Sequence, residues 1–227
     1  MSINNYNDII QKPNKELKKV GIMGGTFDPI HFGHLVIAEQ IRCEYNLEKV
    51  LFVPAGIPPH KTEVKISESK HRYFMTLLAT ITNPYFEVSK IELDNDEVSY
   101  TINTIKKIKE IYQKDTELFF ITGADAVCEL DTWKNVKELL HSVNFIAATR
   151  PGLDSSVVDE KIHELEIKNN AYIRKINVPA LAISSTDIRE KIKKQQSIKY
   201  LLPESVEYYI YKHGLYVHRG ETIVRLG

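Results

Sequence analysis

Two histidines, His31 and His34, stand three residues apart in the segment GIMGGTFDPIHFGHL, residues 21–35. Gly24 and Gly25 come before them, where the backbone can turn sharply and leave its N–H groups unobstructed. A helical pattern begins near His34, and the first N–H groups of a helix favour an anion. Two imidazole donors at such a helix start suit phosphate oxygens on which negative charge builds during transfer. The segment therefore predicts a phosphate site.

Other interpretations of this segment remain open. Its spacing fits neither the GxGxxG pattern of dinucleotide-binding folds nor the GxxxxGK[ST] loop of phosphate-cleaving ATPases. The glycines could form a strand-to-helix turn that binds nothing, and the histidines could be core or capping residues. A zinc pair is a further alternative, but neither HExxH spacing nor a neighbouring carboxylate or cysteine cluster supplies a third ligand.

A second phosphate signal lies far along the chain, in AISSTDIRE at residues 182–190. Ser184 and Asp187 have the spacing of a capping box, so a helix should begin here with N–H groups that can receive phosphate. Arg189 in its first turns would supply a fixed cation. An ordinary capped surface helix is the alternative.

Two further loops carry residues suited to a nucleotide. In PAGIPPHK, residues 54–61, prolines stiffen a loop that presents Lys61, although such a segment alone is more often a rigid turn. In TGADAV, Asp125 follows a predicted strand, where a carboxylate commonly accepts ribose hydroxyls. Trp133, the one tryptophan of the chain, lies nearby and could stack on an aromatic ring, although a lone tryptophan is usually core. Arg72 is weaker, because helix solvation explains it adequately.

Short apolar, β-branched runs alternate with helical patterns along the chain. The runs predict strands at residues 19–23, 49–54, 86–93, 117–122, 144–149 and 171–178. The patterns predict helices near residues 34–45, 68–82, 100–112, 124–130, 133–140, 186–195 and 203–213. This alternation predicts an α/β fold with a doubly wound parallel sheet and helices on both faces. In such sheets ligands bind beyond the carboxyl ends of the strands, which would gather the loops at 24–33, 54–61, 122–126 and 149–152.

Length and composition favour a single domain of ordinary to large size at residues 19–227, after a polar extension at residues 1–18. Thirty basic residues balance thirty acidic ones, which argues against a nucleic-acid surface. No apolar run is long enough to span a bilayer, and the N-terminus lacks the apolar stretch of a signal peptide. Two distant cysteines are interpreted as buried, reduced thiols, so we expect a cytoplasmic protein without membrane or nucleic-acid partners. A homo-oligomer remains open.

Several motifs resemble, in their order, a superfamily of nucleotidyltransferases that carries an HxGH signature. They are GGTFDPIHFGHL at 24–35, PAGIPPHK at 54–61, SYT at 99–101, GAD at 123–125 with tryptophan at 133, RPG at 150–152 and ISSTDIR at 183–189. Together with the closing PESVEYYIYKHGLY, they are similar to the bacterial nicotinate-nucleotide adenylyltransferases over about residues 18–217. Two features depart from that family: the N-terminal extension, and Asn103 where the family often has an aspartate.

The resemblance implies a Rossmann-like sheet and an enzyme of NAD biosynthesis. The enzyme would transfer the adenylyl group of ATP to nicotinate mononucleotide, giving deamido-NAD and pyrophosphate. We expect catalytic roles for His31, His34, Lys61 and Arg189. Expected ATP-binding residues are Gly24, Gly25, Thr26, Phe27, His34, Ser184, Ser185 and Arg189. Expected nicotinate mononucleotide-binding residues are Lys61, Thr101, Asp125 and Trp133.

The implied adenylyl transfer needs neither a general base nor a metal site built from protein side chains. The attacking phosphate monoester is already ionised at neutral pH, so no general base is required. Mg²⁺ is expected with ATP, held by phosphate oxygens and water, and no metal ligand is assigned to the protein.

Three alternatives to the nicotinate-nucleotide adenylyltransferase hypothesis remain. Phosphopantetheine adenylyltransferases and cytidylyltransferases of the same superfamily usually have shorter chains and lack PPHK together with the tryptophan. A non-catalytic nucleotide sensor would have no reason to keep the histidines and Arg189. A synthetase-like RNA enzyme would need a longer chain and a second, lysine-rich signature.

Overall fold

The computed structural model describes residues 18–57, 66–93, 98–149, 155–178 and 182–217. Within these ranges, strands and helices alternate as expected from the sequence. The strands are β1 Lys19–Gly25, β2 Lys49–Pro54, β3 Phe86–Val88, β4 Glu117–Gly123, β5 Asn144–Thr149 and β6 Ile173–Asn177. The helices are α1 Phe32–Glu44, α2 Ser69–Thr80, α3 Thr101–Ile111, α4 Ala124–Cys128, α5 Val136–Ser142, α6 Ser155–Asn169, α7 Ser185–Lys193 and α8 Glu204–Lys212.

The six strands form one parallel sheet in the order β3-β2-β1-β4-β5-β6. β1 lies in the middle, with Val20 in register with Lys49 of β2 on one side and Leu118 of β4 on the other. The chain winds outward from β1 in one direction and, after β3, from β4 in the other. A crevice therefore opens beyond the carboxyl ends of β1 and β4, where a doubly wound sheet binds its ligands.

Apolar side chains cover both faces of the sheet, which explains why β1, β2, β4 and β5 are almost continuous hydrophobic runs. On one face, helices α1, α2, α7 and α8 contribute buried residues such as Ile41, Met75, Ile188 and Ile210. On the other face, helices α3 to α6 form a second core. The predicted doubly wound fold is confirmed.

Two elements differ from the sequence-based expectations. The third strand ends at Val88 rather than at residue 93, because the chain turns after Ser89, with the N–H of Leu93 donating to the Lys90 carbonyl (2.8 Å). Helix α6 was not among the predicted helices, although Val158, Ile162 and Leu165 are buried at helical spacing.

The interpretation of the two cysteines is half right. Cys43 and Cys128 are both free thiols, but both are exposed rather than buried. Of the helices in the described parts of the chain, none has the length and apolar character needed to cross a membrane.

Candidate active site

The two histidines of the first motif lie at the start of α1. His31 is the N-cap residue, and its backbone N–H donates to Nδ1 of His34 (3.3 Å). The two imidazole rings stack with their centroids 3.8 Å apart. Because Nδ1 of His34 accepts a hydrogen bond, the neutral ring carries its proton on Nε2. Nε2 of His34 is therefore the nitrogen that can donate to a ligand.

Phe27 supports this histidine from behind. Its ring is only 2% exposed and meets the His34 ring edge-to-face, with centroids 5.1 Å apart. The backbone of Phe27 is in the left-handed region (φ 50°), and a Cβ on Gly25 would approach the Phe27 ring to 2.9 Å. Glycine is required at position 25 because the ring lies against its backbone. The Phe27 side chain is thus a packing element, so a ligand could meet only its backbone.

The second motif is bound directly to the first. The Ser185 hydroxyl donates to the carbonyl of Pro29 (2.8 Å), and Nη1 of Arg189 donates to the carbonyl of Asp28 (2.7 Å). Ser184 caps α7 as predicted, since its Oγ accepts from the N–H of Asp187 (3.0 Å). These bonds hold the starts of α1 and α7 side by side, which brings two sets of helix N–H groups to one place.

Asp28 stabilises this junction from within. Its side chain is 4% exposed, and its Oδ1 accepts from the Tyr216 hydroxyl (2.7 Å). Its Oδ2 accepts from the backbone N–H of Ser67 (3.3 Å). Tyr216 has a left-handed backbone (φ 69°), and burial together with the neighbouring carboxylate raises the pKa of its hydroxyl far above the ordinary value. The hydroxyl therefore stays protonated and donates to Asp28.

Arg72 connects two loops at the same end of the sheet. It is 2% exposed, and its guanidinium donates to the carbonyls of Thr26 (2.9 Å), Gly56 (2.9 Å) and Ser67 (3.0 Å). Burial lowers the pKa of Arg72, while the nearby Asp28 opposes that effect. The assignment of Arg72 to an exposed helix surface is therefore wrong: this cation fixes the loops that follow β1 and β2.

A cavity of about 470 Å³ opens next to this junction, beyond the ends of β1, β2 and β4. Its aromatic wall is formed by Trp133, whose ring meets Phe120 edge-to-face with centroids 6.0 Å apart. The ammonium of Lys134 lies 4.2 Å from the ring centroid of Tyr100, and both residues line the cavity. The polar and charged lining also includes Gly24, Gly25, Thr26, Glu92, Ser99, Thr101, Thr104, Thr122 and Glu129.

Glu92 is a largely buried carboxyl group in this wall. Its Oε1 accepts from the hydroxyl of Thr104 (2.6 Å), at the start of α3. Burial raises the pKa of Glu92 above its ordinary value, and hydrogen bonds from Thr104 and Ser99 partly oppose that shift. Ser99 Oγ in turn accepts from the N–H of Gly56 (3.1 Å), so Glu92 links the loop after β2 to the segment before α3.

The structure brings the predicted site residues into two adjoining groups. His31, His34, Ser184, Ser185 and Arg189 surround the starts of α1 and α7, as described above. Residues predicted for the cavity and found in its lining are Gly24, Gly25, Thr26, Thr101 and Trp133. Asp125 is exposed in the first turn of α4, beside the lining residue Ala126, and Lys61 lies outside the described residues.

Sequence reasoning misjudged Arg72 and missed Glu92 and Lys134. For Arg72 a signal existed, because it shares the helical face of Met75, Thr76 and Ala79, which are buried. A cation on an apolar helix face is buried only when hydrogen-bond acceptors are available for it inside the protein. For Glu92 and Lys134 we find no comparable local signal.

Comparison with known proteins identifies the class that this fold and these paired motifs define. The family model described as cytidylyltransferase-like matches residues 22–191. A relative named "Probable nicotinate-nucleotide adenylyltransferase" from Thermoanaerobacter sp. (strain X514) is 59% identical over 198 residues, which cover 87% of this chain and 94% of the relative. One of the same name from Moorella thermoacetica is 52% identical over 209 residues, covering 92% and 96%.

The chain therefore belongs to the nicotinate-nucleotide adenylyltransferase family, within the cytidylyltransferase-like proteins. Among solved structures, Plasmodium falciparum nicotinic acid mononucleotide adenylyltransferase complexed with NaAD has the same fold. Its TM-score is 0.71 at 23% identity, over 88% of this chain and 97% of that one. The same protein complexed with APC gives a TM-score of 0.69. The predicted family, fold and enzyme class are confirmed.

Proposed function

We propose that this enzyme transfers the adenylyl group of ATP to nicotinate mononucleotide, giving deamido-NAD and pyrophosphate in NAD biosynthesis. One observation carries the proposal: the starts of α1 and α7, with His34 and Arg189, converge next to a separate cavity with an aromatic wall. The first group suits a triphosphate, and the second suits a pyridine ring. A reaction between two nucleotides needs both compartments to meet.

In the reaction, an oxygen of the nicotinate mononucleotide phosphate attacks the α-phosphorus of ATP. A new P–O bond forms, the bond to the oxygen bridging the α- and β-phosphates breaks, and pyrophosphate leaves with that electron pair. The attacking oxygen is already anionic, so no side chain has to remove a proton. The work of the site is to align two anions and to stabilise charge on the transferred group and the leaving group.

Each phosphate-facing residue has a role that fits its contacts. Nε2 of His34 would donate to an oxygen of the α-phosphate, because its Nδ1 is occupied by the backbone of His31. The Arg189 guanidinium donates one hydrogen bond to the Asp28 carbonyl and one to the Thr186 hydroxyl, which fixes its position. Its further N–H donors can then face the phosphates. Backbone N–H groups at Gly24–Thr26 and at the Ser184–Ser185 end of α7 would complete the ATP site.

Lys61, from the sequence pattern alone, is proposed to add a cation for the two phosphates. In the cavity, Trp133 would stack on the pyridine ring, and Thr101 at the start of α3 would face its carboxylate. Asp125 is proposed for a ribose, from its place directly after β4. His31, stacked on His34, would assist in orienting that ring.

Mg²⁺ is proposed to enter with ATP. Asp28 is the carboxylate within the first motif, and both of its oxygens accept hydrogen bonds, from Tyr216 and Ser67. Within the described residues, no group of three or more His, Cys, Asp and Glu side chains is placed to hold a metal. Phosphate oxygens and water would therefore be the main ligands, and the ion would neutralise charge on the departing pyrophosphate.

The test is release of pyrophosphate from Mg–ATP in the presence of one candidate acceptor at a time: nicotinate mononucleotide, nicotinamide mononucleotide, phosphopantetheine or glycerol phosphate. We expect release with the nicotinate nucleotide and mass-spectrometric detection of deamido-NAD. Release with phosphopantetheine or glycerol phosphate alone would instead assign the chain to another reaction of the superfamily. Binding of ATP without release in any mixture would indicate a nucleotide sensor.

A further inference from the structure

Lys134 is a cation that lines the cavity of Trp133 and belongs to neither of the two phosphate motifs. It directly follows Trp133, whose backbone is extended (φ −77°, ψ 143°) after the turn at 130–132. Its ammonium lies 4.2 Å from the centroid of the Tyr100 ring, on the cavity wall next to Thr101. Contact between an ammonium and an aromatic face restrains a side chain that would otherwise move freely. The charge is therefore held close to the place proposed for the pyridine ring.

The other charges of this wall are negative. Among the described residues that line the cavity, the ionisable side chains of acids and bases are Glu92, Glu129 and Lys134, apart from the Tyr100 phenol. The two carboxylates would disfavour an anionic ring. Burial raises the pKa of Glu92, which favours its neutral form and weakens that repulsion. Lys134 then supplies the positive charge that a carboxylate on the ring would need.

We propose that Lys134 is a specificity-determining residue, whose ammonium pairs with the nicotinate carboxylate and so favours the acid nucleotide over its amide. This inference rests on the proposed function, since it concerns the acceptor of that reaction. The acid and the amide differ by one unit charge at one ring position. A charge-assisted hydrogen bond to one of them, and not to the other, is worth about a tenfold to hundredfold preference. We expect the lower end of this range, about tenfold, because Lys134 is exposed and solvent weakens the attraction between the two charges.

The test compares binding and turnover of the two nucleotides in the wild type, Lys134→Met and Lys134→Arg. Trp133 is the one tryptophan, so quenching of its fluorescence reports binding in the cavity directly. We expect Lys134→Met to weaken binding of nicotinate mononucleotide about tenfold and to leave binding of the amide within about twofold. kcat/KM for the two substrates should change in the same ratio. Lys134→Arg, which keeps the charge, should retain most of the preference.

Lys137→Met is the matched control, because Lys137 is an exposed cation only three residues away, on α5, and does not line this cavity. It should leave both affinities unchanged. Rising salt should reduce the preference of the wild type and have less effect on Lys134→Met. An equal loss for acid and amide, or a preference that Lys134→Met does not alter, would overturn the inference.

The outcome is separable from failure of the proposed function. That failure would be absence of pyrophosphate release by the wild type, whereas the role of Lys134 is decided by the ratio of the two dissociation constants. If the wild type binds neither nucleotide, both proposals are wrong.

Discussion

The two halves of the active site are built differently. Around the starts of α1 and α7, backbone carbonyls and buried side chains such as Asp28 and Arg72 fix the geometry. Around the cavity, half-buried or exposed side chains such as Trp133 and Lys134 lie beside buried ones such as Phe120. In the proposed function, the first or rigid half would bind the triphosphate and the second or cavity half would bind the acceptor nucleotide. The difference then predicts that buried contacts fix the geometry of phosphate transfer, while more exposed side chains determine the choice of acceptor.

If this contrast is correct, the largest loss of stability should come from Arg72, in the rigid half. Arg72→Met removes the donor for three carbonyls in a buried place, and we expect the free energy of unfolding to fall by about 3–5 kcal/mol. Urea unfolding followed by circular dichroism measures this. Lys70→Met removes an exposed cation on the same helix, paired with Glu68 at 2.7 Å, and should change the free energy of unfolding far less, because solvent screens that pair. Equal effects of the two substitutions would contradict the contrast.

The next effect concerns turnover. His34→Ala removes the proposed Nε2 donor to the transferred phosphate and should lower kcat by about 10²–10³, with a smaller effect on ATP binding. His34→Gln keeps an N–H donor and should recover part of the loss. Steady-state pyrophosphate release and ATP titration measure the two quantities. If only KM changes, His34 is a binding residue and its proposed role in the transition state is wrong.

Tyr216 tests whether the rigid half depends on contacts made far along the chain. Tyr216→Phe removes one hydroxyl and leaves Oδ1 of the buried Asp28 without that donor, so unfolding should become easier by about 1–3 kcal/mol. Because Asp28 also holds Arg189 through its carbonyl, kcat should fall more than KM rises. Tyr200→Phe, at a tyrosine 81% exposed, is the control and should change neither quantity. A loss of stability with unchanged kcat would restrict Tyr216 to a structural role.

The contrast between the halves also explains what could be predicted from the sequence. Strands and helix starts depend on local patterns, and the capping of α7 by Ser184 follows from residues only three positions apart. The bond from Tyr216 to Asp28 joins residues 188 positions apart, so no local pattern indicates it. For Arg72, the buried face of α2 was a local signal that its side chain is buried, but its carbonyl acceptors belong to separate loops and could not be predicted locally.

The cavity could be predicted only in part. Trp133 attracted attention as a rare residue type, and it does line the cavity. Lys134 and Glu92 did not, because their significance depends on which loops meet across the sheet rather than on their neighbours in the chain. Helix α6 was not predicted, although Val158, Ile162 and Leu165 are buried at helical spacing and form a local pattern sufficient to indicate it.

The smallest expected effect lies in the cavity half and depends on pH. Burial raises the pKa of Glu92 above its ordinary 4.5, so the folded state binds this proton more tightly than the unfolded chain does. The contribution of Glu92 to stability is therefore fully present at low pH and declines as pH rises through 4.5 towards the folded value, because there the unfolded chain has lost the proton that the folded protein still holds. Glu92→Gln cannot titrate, and its amide oxygen can still accept from Thr104. The free energy of unfolding of the wild type, relative to that of Glu92→Gln, should thus fall as urea titrations move from acid towards neutral pH. A difference that rises with pH would mean that Arg72 and the two hydroxyl donors, rather than burial, determine the charge of this carboxyl group.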